Sequence, residues 1–270
     1  METKVFAPGR ERGEEGWLKY PLDKSLRARY YSDELLARIM THPAKQNAWL
    51  HQDICEYVSQ SGETILDPFG GVGTSLLSAT LGRNVILLEI EPYYAAIIND
   101  SIQELESQPG HGSFGSMMFI NSDNRLAMPG IKCDHIITSP PYGNDLAKTA
   151  EDQALTKEVG KQGMQYTNAT QNIGKLNPFI YEQVMLKVYK MMVDCVRPGG
   201  TITVTHRDRT KDGERLLYID SIVGTLFRLG MRVKLLEKWK APGSLAARVN
   251  EKLGNEVVLD EDIIVMEKPL

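Results

Sequence analysis

No stretch of this 270-residue chain approaches the roughly 18 consecutive apolar residues that a membrane-spanning helix needs. Its first residues, METKVFAPGRERGEEGW, lack the basic-then-apolar order of a secretion signal. These two absences make the cytoplasm the expected location and exclude a membrane partner. Cysteine is scarce: Cys55, Cys133 and Cys195 lie far apart with no C-x-x-C spacing, which argues against a zinc site or a disulfide framework. They read as core thiols, and no metal site is expected. Excess positive charge is missing too, since the formal net charge is -4. No internal repeat or low-complexity tract is visible.

The apolar fraction of 42% and charged fraction of 24% suit an ordinary globular chain. At this length one large α/β domain is expected. Charge is distributed unevenly. Residues 197–252 hold twelve Lys/Arg against six Asp/Glu, whereas residues 46–143 hold three against eleven. The C-terminal third can thus present a basic face while the middle carries functional carboxylates, although solvated helix faces would give the same pattern.

Along the chain, residues 1–40 read as an irregular arm with a short helix at SDELLARIM, followed by a domain over 41–270. Leu50, Ile54, Tyr57 and Val58 recur at helical spacing over 46–60. ETILD is a short strand, and FGGVGTSLLSATLG runs from a loop into a helix that Gly82 can end. NVILLE is the next strand, and Pro92 suits the first turn of a helix reaching Leu105. SMMFI and CDHIITS are further strands. Residues 143–178 are polar and rich in Gly, Asn, Gln and Thr, a length of loop that is usually functional. Then come the helix YEQVMLKVYKMMVDCV, a tight turn at RPGG, the strand TITVTH, a helix near 214–229, and the strands MRVKLLEKW and EDIIVMEK. This alternation predicts a doubly wound, mostly parallel sheet with helices on both faces.

Asp67-Pro68-Phe69-Gly70-Gly71-Val72-Gly73-Thr74 sits between the first strand and its helix, where open α/β sheets bind nucleotides. The dinucleotide pattern G-x-G-x-x-G fits Gly71 and Gly73 but requires glycine where Leu76 stands. No Lys-Ser/Thr pair follows as a phosphate loop needs, and Asp67 suits a cationic ligand better than a pyrophosphate. Glu89, at the tip of the neighbouring strand, is placed to hold ribose hydroxyls, with Glu91 as its rival. Asp123 follows the third strand in the same way and could accept from an adenine amine.

DPFGGVGTS, LEIEP, NSDNR and TSPPY together resemble the S-adenosylmethionine-dependent methyltransferases that modify exocyclic amines of DNA bases. THPAKQ resembles the segment that helps hold the methionine end of the cofactor in many of them. The resemblance implies a seven-stranded class I Rossmann-like fold. It also implies S-adenosyl-L-methionine as cofactor, held by Asp67, Phe69, Gly71, Gly73, Thr74, Glu89 and Asp123. Lys45 would lie near the cofactor carboxylate or in solvent, and His42 is given no chemical role. Trp49 and Tyr57 read as core.

The proline motif then acquires a chemistry. A base amine is a poor nucleophile because its lone pair is delocalised, so two acceptors must pull it toward tetrahedral geometry. The Ser139 hydroxyl and the Pro140 carbonyl, fixed by the rigid Pro140-Pro141 unit, supply them. Tyr142 offers a face on which a base flipped out of duplex DNA can stack. No Pro-Cys dipeptide is present as the nucleophile of a cytosine C5 enzyme. Serine at the head of the motif favours cytosine N4 over adenine N6, in a restriction-modification setting. Target recognition falls to residues 143–178 and to Arg207, Arg209, Lys211 and Arg215. An RNA methyltransferase acting on guanine N2, a non-catalytic nucleic-acid-binding subunit and a nicotinamide oxidoreductase are the alternatives, and monomer or dimer is left open.

Overall fold

The computed structural model describes residues 4–42, 45–141, 172–211, 214–241 and 257–270. Within them the chain forms α1 (Asp23–Arg27), α2 (Asp33–Met40), α3 (Ala48–Val58), β1 (Thr64–Asp67), β2 (Asn84–Glu89) and α4 (Pro92–Glu106). It continues through β3 (Met117–Asn121), α5 (Asn124–Ala127), β4 (Cys133–Thr138), α6 (Pro178–Cys195), β5 (Val196–His206), β6 (Arg209–Lys211) and β7 (Glu214–Leu216). It ends with α7 (Ile219–Arg228), β8 (Arg232–Lys240) and β9 (Asp260–Glu267).

Seven strands make one sheet in the order β3-β2-β1-β4-β5-β9-β8. The first five run parallel, and β9 is antiparallel to both of its neighbours. The expected doubly wound, mostly parallel architecture is therefore the observed one. Successive residues of a strand point to opposite faces, and the core is divided accordingly. Leu66, Leu88, Ile136 and Ile264 join α6 and α7 on one face. Ile65, Leu87, Ile137 and Ile263 pack on the other face, against α3, α4 and the segment after the glycine loop. Strands covered on both faces account for their nearly continuous apolar runs. Cys55, Cys133 and Cys195 are free and buried, as expected.

Three local expectations differ from what is observed. Residues 4–40 are more ordered than an irregular arm: α2 is joined by α1, and Leu18, Leu26, Leu35 and Ile39 are buried. Leu18 also extends the sheet edge, its amide donating to Lys238 O at 2.9 Å while Lys240 N donates back at 2.8 Å. RPGG does not precede β5 but lies within it, as an irregularity that β4 absorbs: Cys133 pairs with Val196, and His135 next pairs with Thr201. A Cβ on Gly200 would meet Asp134 O at 2.1 Å, so glycine is needed there for strand approach rather than only for a turn. Residues 214–216 are a strand paired with 209–211, and the helix begins only at Ile219.

Candidate active site

The nucleotide position of such sheets lies beyond the C-terminal tips of the strands where strand order reverses, here β1 and β4. Asp67 ends β1 and is 5% exposed. Its carboxylate accepts from Ser75 Oγ at 2.6 Å, Thr138 Oγ1 at 2.7 Å and Phe69 N at 3.1 Å. Burial pushes its pKa up, and these three hydrogen bonds oppose the rise. Thr138 is the last residue of β4 and immediately precedes Ser139, so one carboxylate ties the glycine loop to the start of the proline motif.

The loop itself hugs β2. Gly70 N donates to Leu88 O at 2.8 Å, and a Cβ on Gly70 would stand 3.2 Å from that oxygen. Gly71 and Gly73 adopt φ of 52° and 78°, a region that side chains rarely enter. The residues after Gly73, Thr74–Leu81, form a 3₁₀ helix instead of the expected α-helix, ended by left-handed Gly82. Its hydroxyl residues are drawn into bonds that compete with the helix ladder: Ser75 to Asp67, Ser78 to His51 and Thr80 to Leu77 O.

Glu89, at the tip of β2, is buried and turned toward the loop. It accepts from Gly71 N at 2.7 Å and from Glu91 N at 2.8 Å. Burial, helped by the nearby Glu91, raises its pKa to about 7 against the opposing backbone hydrogen bonds. Glu91 is 1% exposed and accepts from Asn172 Nδ2 at 2.6 Å. Asp123 caps α5 by accepting from Arg125 N and pairs with the Arg125 guanidinium, whose Nη2 lies 2.5 Å away. The neighbouring Asn124 is the one that reaches the glycine loop, donating to Pro68 O at 2.9 Å, and its Oδ1 is buried with no partner among the described residues.

Ser139 and Pro141 are half-buried beyond β4, and Pro140 is buried. Tyr142 and the rest of the segment to residue 171 lie outside the described residues, so the expected stacking face and most of the recognition segment do as well. The Pro141 carbonyl accepts from the Tyr181 hydroxyl of α6 at 2.8 Å.

Lys45 turns its ammonium back onto its own segment, 3.2 Å from His42 O, and burial lowers its pKa. Three residues with no individual role assigned from the sequence, His42, Arg27 and Gln46, gather beside the loop or on its partners. The imidazole of His42 lines Gly71, where a Cβ would lie 3.6 Å from Nε2. Burial first, then the charges of Lys45 and Arg27, push its pKa down to about 3, so it is neutral. Arg27 is fully buried and donates to Thr74 Oγ1 at 2.8 Å and Gln46 O at 3.0 Å, with Nε on Asp23 at 2.9 Å. Its Nη1 is buried and has no partner among the described residues. Gln46 joins this group to the tip of β5 by donating to Thr205 Oγ1 at 3.1 Å. Arg27 carried no sequence signal, because its surroundings come from segments 19 and 47 residues away.

Of the basic residues assigned to target binding, Arg215 is occupied internally. It pairs with Asp208 at 2.8 Å and Asp260 at 2.6 Å, both almost wholly buried. The side chains of Arg209 and Lys211 lie outside the described set, and Arg207 is half-buried just beyond β5.

Residues 12–100, about a third of the chain, match the family model of the N6/N4 type described as DNA methylase. The match includes the glycine loop and Glu89 and stops before Asp123 and the proline motif. Among solved structures, TrmN from Thermus thermophilus aligns with a TM-score of 0.51 at 15% identity over 86% of this chain and 52% of that one. The chain thus spans about half of that relative. A methyltransferase from Pyrococcus furiosus aligns with a TM-score of 0.51 at 14% identity, covering 85% and 87% of the two chains. Magnesium protoporphyrin IX methyltransferase from Synechocystis PCC 6803, solved with bound SAM, gives 0.53 at 11% identity over 92% and 98%. At these identities the likeness is one of fold.

Proposed function

We propose that this chain is an S-adenosylmethionine-dependent methyltransferase of the N6/N4 DNA methylase family, transferring a methyl group to an exocyclic base amine of DNA, with cytosine N4 as the target. The observation that carries this reading is the bond between Asp67 and Thr138, which makes the glycine loop and the proline motif neighbours on adjoining strand tips. The resemblance of residues 12–100 to DNA methylases supplies the substrate class.

The residues present suit the cofactor. A buried donor without a partner, Arg27 Nη1, lies beside Thr74 on one flank of the loop, and a buried acceptor without one, Asn124 Oδ1, lies beside Pro68 on the other. The donor matches a carboxylate and the acceptor an amine, the groups at the two ends of S-adenosylmethionine. Left-handed Gly71 and Gly73 bend the loop, Gly71 beside His42 and Gly73 against Leu76 and Ile98, and Glu89 is the acceptor for ribose hydroxyls. When bound, the cofactor supplies an electrophilic methyl on a sulfonium leaving group. The protein's share is positioning and electrostatics. The Ser139 hydroxyl and the Pro140 carbonyl accept from the target amine and direct its lone pair at the methyl, while Tyr142 stacks on the extruded base. The amine proton leaves after transfer, and no covalent enzyme intermediate is required. Residues 143–178 and Arg207 approach the DNA, whereas Arg215 braces the hairpin of β6 and β7 from within.

Expression in a methylation-free host followed by sequencing of modified genomic bases tests the whole reading. N4-methylcytosine in a fixed context is expected. N6-methyladenine would move the target to adenine, and label entering tRNA or rRNA alone would overturn the DNA assignment.

A further inference from the structure

Proline has no N–H, so the two residues at the centre of the proline motif cannot be held by backbone donation of their own. The rings restrict their backbone, and what further holds their carbonyls comes from donors that approach from elsewhere. At the head of the motif, Thr138 is anchored to Asp67. Beyond it, the described donor is the Tyr181 hydroxyl, 2.8 Å from Pro141 O.

Tyr181 is well placed to act as a fixed point. It is 8% exposed and packs in the core cluster with Met185 and Val188. Its amide donates to Asn177 O at 2.8 Å in the first turn of α6, and that turn is capped by Asn177, whose side chain accepts from Ile180 N at 3.0 Å. Just upstream, Asn172 is bonded to Glu91, whose amide in turn donates to Glu89. One short stretch, 172–181, is therefore tied both to the β2 tip and to the proline motif.

The geometry points to Tyr181 as a positioning residue for methyl transfer, an inference that rests on the function proposed above. By occupying the Pro141 carbonyl it fixes the Pro140-Pro141 unit and leaves the Pro140 carbonyl to accept from the target amine. The role assigned to it runs through the motif and requires no contact with cofactor or base. A shift of about 1 Å in a group that orients a reacting atom can lower a rate about 100-fold, so loss of this one hydroxyl is expected to reach the chemical step while sparing the cofactor site.

The test is single-turnover methylation of duplex DNA carrying the site found in the host experiment, at saturating protein and cofactor, for wild type, Tyr181→Phe and Tyr189→Phe. Tyr189 is the second buried tyrosine of α6 and serves as a control for the loss of a hydroxyl from that helix. Tyr181→Phe is expected to slow transfer at least about 10-fold, with S-adenosylmethionine affinity by calorimetry within about twofold of wild type and Tyr189→Phe near wild-type rate. The slowing should persist when the target base faces an abasic site, which removes most of the cost of flipping. A Tyr181→Phe rate equal to wild type overturns the inference alone. Equal slowing by Tyr189→Phe also overturns it, since the effect would then belong to the helix rather than to the motif. A wild type that methylates no nucleic acid removes the functional reading itself, and the inference with it.

Discussion

Replacing Thr138 with valine cuts the one described side-chain bond between the tips of β1 and β4 and changes almost nothing else. The two side chains are nearly equal in shape, and Thr138 is 1% exposed, so no cavity opens. What is lost is a 2.7 Å hydrogen bond to a buried carboxylate that keeps its bonds from Ser75 and Phe69. Hydrogen bonds to charged groups contribute about 1.5–3 kcal/mol, so a loss of about 2 kcal/mol is expected where Asp67 is ionised. For a chain of this size that corresponds to a fall of roughly 4–8 °C in Tm. The pH dependence gives the argument a sign. Burial holds the folded pKa of Asp67 above its unfolded value despite three hydrogen bonds. Its protonation therefore favours folding below the unfolded pKa, and that contribution is lost as pH rises through the folded one. Removing the Thr138 bond raises the folded pKa further, so the penalty should be largest where Asp67 is ionised and shrink as its proton returns. Urea unfolding followed as pH is lowered from a value at which Asp67 is ionised reads the trend, the penalty falling toward the roughly 1 kcal/mol of a neutral hydrogen bond as Asp67 takes up its proton. A loss below about 0.5 kcal/mol at the higher pH would refute the idea that this bond joins the two halves of the site.

Glu89, with its pKa near 7, should hold ribose hydroxyls better when ionised. Calorimetric affinity for S-adenosylmethionine is expected to rise as pH increases through about 7 and then level, and Glu89→Gln should abolish that slope. Gly73→Ala places a Cβ at φ of 78° and 3.1 Å from Leu76 Cδ1. The left-handed backbone alone costs about 1–2 kcal/mol, so a Tm lower by roughly 2–8 °C is expected, together with weakened cofactor binding. Arg215→Gln leaves Asp208 and Asp260 buried beside one fewer cation, with Lys238 still 2.5 Å from Asp260. Breaking buried pairs commonly costs about 3–5 kcal/mol, and the partial exposure of Arg215 puts its effect below that range. Because its charge is already neutralised, the salt slope of DNA binding should stay within about 0.5 of wild type, whereas Arg207→Gln should reduce it by about 1.

What could be read from the sequence was what local chemistry alone decides. The places of Asp67 and Glu89 at strand tips and of Gly71 and Gly73 in the loop between them were legible because a strand followed by glycines has few continuations. The central strands were legible because burial on both faces leaves apolar runs with little polar interruption. What escaped was set by partners distant in sequence. Arg27 looks like one more charged residue of an amphipathic segment until Thr74 and Gln46 close around it. Glu214–Leu216 reads as the start of a helix until Arg215 is drawn to Asp260 on β9, 45 residues away. Tyr181 reads as one apolar position of a helix until its hydroxyl meets Pro141, 40 residues upstream. These three share a physical form: Arg27 and Tyr181 are buried and Arg215 partly so, and each spends polar atoms on a segment distant in sequence. Buried polar atoms carry a large cost when unpaired, so such residues hold their loops to narrow positions. Asp67 does the same for both strand tips at once. A site assembled this way should behave as a unit. Thr138→Val and Tyr181→Phe grip opposite ends of the same proline segment, and their effects on the transfer rate should be non-additive in a double-mutant cycle. Simple addition would mean that the two ends of the motif are held independently.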